Sequence, residues 1–119
     1  MEEIIIYTSA DGSTKLDVKL EDETLWLNQK QLCELFGKSK STISGHIKTI
    51  FEDEELDEKV VVRYYRTTTK HGALEGKTQS SDVKFYNLDM ILAIGFKVRS
   101  RTGVQFRKWA NSILKEYIV

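Results

Sequence analysis

The sequence predicts an α+β domain built on a winged-helix-like helix-turn-helix, with an N-terminal β-hairpin, a second β-hairpin as wing and two C-terminal helices. Three observations predict it. Gln29–Phe36 and Ser39–Ile50 have helical periodicity and are split by one glycine, Gly37. β-Branched runs bounded by turn residues stand before and after them, and the last third of the chain carries two more apolar helical stripes. With 119 residues the chain holds one core and is too short for two, so residues 1–119 are expected to be a single domain.

Each element follows in order. Ile4-Ile5-Ile6-Tyr7 is a β-branched run, Asp11-Gly12 is a hairpin turn signal, and Leu16, Val18 and Leu20 alternate after it. Two antiparallel strands are expected there. Leu25-Trp26-Leu27 makes a further short strand, with Trp26 in the core and Asn28 as the cap that starts the first helix. Leu32, Leu35 and Phe36 give that helix its inner side, and Cys33 supplies a small side chain where the second helix crosses. Gly37 can turn left-handed without a Cβ clash, Ser39 can cap the next helix, and Ile43, Ile47 and Ile50 recur along its inner face.

Glu52 to Glu58 is an acidic connector with room for one helical turn. Val60 to Arg66 reads as a strand and Val83 to Tyr86 as its return, with a polar loop from Thr67 to Asp82 between them. Asn87 caps a third helix whose Leu88, Met90, Ile91, Leu92 and Ile94 make it central, and Gly95 is expected to end it. Ser100 or Thr102 restarts the chain. Val104, Phe106, Trp109, Ala110, Ile113, Leu114 and Tyr117 then mark a last amphipathic helix.

The outward side of the second helix carries the functional expectation. A helix entering the major groove needs short side chains for close approach, plus donors that reach base edges or phosphates. Lys38, Ser39, Lys40, Ser41, Thr42, Ser44, Gly45 and Lys48 meet that need. Arg66, Lys70 and Lys77 place cations on the wing, where they can touch the backbone beside the groove. Arg99 and Arg101 precede the last helix, whose dipole they oppose, and phosphate contact is the reason assigned to them. Double-stranded DNA is therefore the expected partner. One short recognition helix binds weakly alone, so a homodimer reading two half-sites is expected as well.

Net charge is zero, but its distribution is uneven. Residues 1–27 and 51–59 are each −5, whereas 28–50 and 60–81 are each +3 and 87–119 is +4. Separated signs can steer one face toward a polyanion while the other stays acidic. No stretch approaches a membrane span, and the start Met1-Glu2-Glu3 lacks the basic opening of a secretory signal. One cysteine, Cys33, cannot form an internal disulfide. A soluble cytoplasmic protein with no membrane partner is expected.

Catalysis is not expected. His46 and His71 sit on different elements, Cys33 has no basic pair, no spacing suggests zinc, and no glycine-rich loop follows a strand. No cofactor, metal or small-molecule substrate is foreseen. The rival reading is a protein-interaction module in which the helix pair is architecture alone, and zero net charge and the acidic connector favour it. The apolar ending Tyr117-Ile118-Val119 suggests the N-terminal module of a longer protein.

The chain also resembles the RhuM family of bacterial proteins over nearly its whole length. The resemblance rests on Glu23 to Gln31, Phe36 to Ser39, His46 to Glu52 and Phe85 to Ile91, and most distinctively on Gly95 to Ser100 with Gln105 to Ala110. That last part is similar to the end of the Bro-N and KilA-N domains of phages and large DNA viruses. The resemblance implies a bacterial DNA-binding domain and a setting in a virulence island or other mobile element, where a transcriptional regulator would act.

Overall fold

The computed structural model describes the backbone of residues 3–70 and 78–117, and the side chains it describes leave out residues 67–80. Five strands, β1 (Glu3–Thr8), β2 (Lys15–Glu21), β3 (Thr24–Asn28), β4 (Val62–Lys70) and β5 (Thr78–Asn87), form one antiparallel sheet in the order β1-β2-β3-β5-β4. Helices α1 (Gln29–Phe36), α2 (Lys40–Glu52), α3 (Glu58–Val61), α4 (Leu88–Val98) and α5 (Arg101–Tyr117) complete the described residues. The α+β expectation holds. None of these helices is long and apolar enough to cross a membrane.

Alternation decides which face of the sheet the helices cover. Leu16, Val18 and Leu20 of β2, Leu25 and Leu27 of β3 and Tyr86 of β5 share one face and are buried with Ile43, Ile91, Ile94 and Phe106 of the helices. Trp26 points the other way. It is 2% exposed, yet its cover is a small cluster of its own: Arg63 lies 4.5 Å above its ring, and its Nε1 donates to the Glu21 carbonyl at 3.1 Å. Tyr65 and Phe85 extend that cluster edge-to-face at 5.0 Å.

The element order reads as two strand–strand–helix–helix runs, β2-β3-α1-α2 and β4-β5-α4-α5, with α3 between them. They meet at the antiparallel pair β3 and β5, where Trp26 faces Asn87 and Asn28 faces Phe85. Each of these strands passes straight into a helix capped by an asparagine. Asn28 accepts from the Gln31 amide at 2.8 Å while the Gln31 side chain accepts from the Asn28 amide at 2.9 Å, a reciprocal capping box. Asn87 accepts from the Met90 amide at 3.2 Å.

Four sequence expectations need correction. Val60 and Val61 close α3 and are not strand, because Asp57 caps a helical turn there by accepting from the Lys59 amide at 3.0 Å. The polar stretch after Arg66 continues the ladder as far as Lys70 opposite Thr78, so the loop expected from Thr67 to Asp82 is mostly strand. Gly95 does not end α4, which runs to Val98 and closes at Arg99 with φ 53° and ψ 44°. Val104 and Tyr117 are exposed on α5, whose buried residues are Gly103, Phe106 and Ala110.

Candidate nucleic-acid interface

The start of α2 is set by local chemistry. Gly37 is left-handed at φ 62° and ψ 39°, as expected of the turn, and the Lys38 amide donates back to the Cys33 carbonyl at 3.2 Å. Ser39 caps α2 by accepting from the Thr42 amide at 3.2 Å. Ile43, Ile47 and Ile50 are buried, which fixes the rotation of the helix about its axis. Lys38, Ser39, Lys40, Ser41, Thr42, Ser44, Gly45 and Lys48 are consequently all exposed.

Several of these groups are already held in place. The Gln29 side chain donates to the Ser44 hydroxyl and, at 3.3 Å, to the Lys40 carbonyl, tying α1 to the outer flank of α2. Periodicity gave no hint of Gln29, because it lies at the first position of α1. Lys48 pairs with Glu52 at 3.8 Å with both side chains well exposed, a contact of about 0–1 kcal/mol that a phosphate can displace. Lys38 and Lys40 have no ion-pair partner among the described residues.

Charge is graded along α2. Its N-terminal end carries Lys38, Lys40 and the positive end of the helix dipole, whereas Glu52, Asp53, Glu54 and Glu55 follow at its C-terminal end. Glu52 reaches the flank at Lys48, the residues from Lys38 to Gly45 named above are open to solvent, and Glu55 is engaged with Lys97 at 3.6 Å.

The remaining expected contacts separate into three places. Arg99 borders a groove of about 460 Å³ with His46 and Thr49 of α2, a side of that helix that Lys40, Ser44 and Lys48 do not line. Arg101 opens onto another groove, between α4 and α5, together with Phe96 and Arg107. Arg66 is exposed on the outermost strand and pairs across the ladder with Asp82 at 3.5 Å. Lys70 ends β4 with its side chain outside the description, and Lys77 lies outside the described residues.

Sequence reasoning missed Phe96. At about 100° per residue it falls on the side of α4 opposite Met90, Ile91 and Ile94, which are fully buried. A helical wheel would have found it, but a run of apolar residues hid it.

Residues 60–119 match the model of the virulence protein RhuM family, a stretch that takes in β4, β5, α4 and α5 and leaves out α2. No curated protein and no solved structure matches the chain.

Proposed function

The chain belongs to the virulence protein RhuM family, and from that premise we propose that it binds double-stranded DNA sequence-specifically as a winged helix-turn-helix. In this reading α2 is the recognition helix, the β4–β5 hairpin is the wing, and the protein regulates transcription from a mobile element or virulence island. One observation carries it: the exposed serine, glycine and lysine flank of α2, held at a fixed rotation by three buried isoleucines. Lys38, Lys40, Lys48 and Arg99 contact phosphates, while Ser41 and Ser44 approach base edges. Arg66 contacts the backbone from the wing.

The test is the salt dependence of duplex binding. Lys40→Ala with Lys48→Ala should weaken binding at every sequence and lower the slope of log K against log salt by about one unit per lost contact. Ser41 and Ser44 substitutions should change which sequence is preferred. Duplex affinity undetectable at low salt, or unchanged in the double lysine variant, would leave the protein-interaction module, which the zero net charge favours. Specific binding by a homodimer predicts half-sites about one helical turn apart, and light scattering that finds only monomer with duplex present would rule that out.

A further inference from the structure

The groove between α4 and α5 differs from the flank of α2. Phe96 is 85% exposed, more than any other large apolar side chain among the described residues, and Val104 beside it is 46% exposed. With Leu92 they line a depression of about 650 Å³ that Arg99, Arg101 and Arg107 also border. None of these three guanidiniums has an ion-pair partner among the described residues. The first turn of α5 holds no acidic residue, so the positive end of its dipole adds to Arg101 instead of being balanced.

Leaving a phenylalanine in water forgoes the favourable burial of its ring, and clustered unpaired cations repel one another. An occupant that relieves both must be apolar at its centre and acidic around it. We propose that the α4–α5 groove docks an acidic amphipathic segment of a partner protein, with an apolar anchor covering Phe96, Leu92 and Val104 and carboxylates pairing with Arg101 and Arg107. Arg101, which the sequence grouped with the phosphate contacts, belongs to this groove.

Charge complementarity selects that occupant over two others. A second copy meeting this surface through a two-fold axis would set arginines against arginines. A duplex would satisfy the guanidiniums but offers its phosphate backbone to Phe96, which would stay in water. The groove shares Arg99 with the duplex reading but neither Lys40 nor Lys48, so the double lysine variant separates the two.

The probe is a fluorescein-labelled peptide of Glu, Ala, Leu and Trp, with the leucine and tryptophan four residues apart, followed by anisotropy. Binding should weaken by about tenfold or more in Phe96→Ala and in the Arg101→Glu, Arg107→Glu double variant. It should be unaltered in Lys40→Ala with Lys48→Ala and should survive excess duplex. Because Phe96 is exposed, its alanine variant should keep the parent thermal midpoint, so a loss of binding is not a loss of fold. No binding by about 1 mM peptide, or equal binding by Phe96→Ala, overturns the proposal. Displacement by duplex, with duplex affinity falling in the arginine variant alone, overturns it in favour of a phosphate surface. Self-association abolished by Phe96→Ala overturns it in favour of a second copy.

Discussion

Gly95 and Gly103 meet where α4 and α5 cross: a Cβ built on Gly95 would stand 3.3 Å from the Gly103 Cα and 3.3 Å from two ring atoms of Phe36. Glycine in a helix costs about 1 kcal/mol relative to alanine, so both positions forgo propensity to let the backbones approach. Gly95→Ala would regain that propensity and lose more to overpacking, which costs about 1–3 kcal/mol. Urea denaturation should find the variant about 1 kcal/mol less stable, since backbone at 3.3 Å yields less readily than a flexible side chain. A rise in its midpoint would show that the crossing can relax.

Gly45 is the opposite case. Nothing lies within 4 Å of a Cβ built there. Gly45→Ala should therefore stabilise the fold by about 1 kcal/mol while setting a methyl on the flank proposed to face the duplex. The expected pair of results is a higher urea midpoint and weaker duplex binding. A stabilised variant with unchanged affinity would remove Gly45 from the interface.

Ser39 caps the helix that carries the proposed contacts. Ser39→Ala should cost about 1 kcal/mol and fray the first turn of α2, seen as faster hydrogen exchange at the Thr42 amide. Asn87→Ala should cost at least as much, because Asn87 is buried and its loss leaves the Met90 amide without its acceptor. Equal exchange at Thr42 in parent and variant would show that the cap is dispensable.

Tyr65 titrates late. Burial, and then the hydrogen bond its hydroxyl donates to Glu21, push its phenol up from 10.0 to about 12. A raised phenol pKa favours the protonated folded form, so this stabilisation is complete below pH 10 and is lost as pH climbs toward 12. Phenolate absorbance should show that Tyr65→Phe removes one group from the last part of the alkaline titration. Removal from the early part would contradict the Glu21 contact.

Local chemistry was legible in the sequence where a single residue type decides the outcome. Gly37, Ser39, Asn28 and Asn87 could be read because a left-handed turn and helix caps each have few solutions. Val60 and Val61 misled because their β propensity yields to the cap at Asp57. Gly95 misled because a glycine that ends a helix and one that admits a neighbouring helix look alike until the neighbour is placed. The flank of α2 was readable from its isoleucine spacing. The groove beside Phe96 was not, since it depends on α5 crossing α4.

The reach of the β3–β5 pairing extends past the sheet. Asn28 and Asn87 sit inside that pairing and also begin α1 and α4, so any shear of one strand along the other carries both helix starts with it. The register of two short strands thereby sets where both helical layers begin relative to one another.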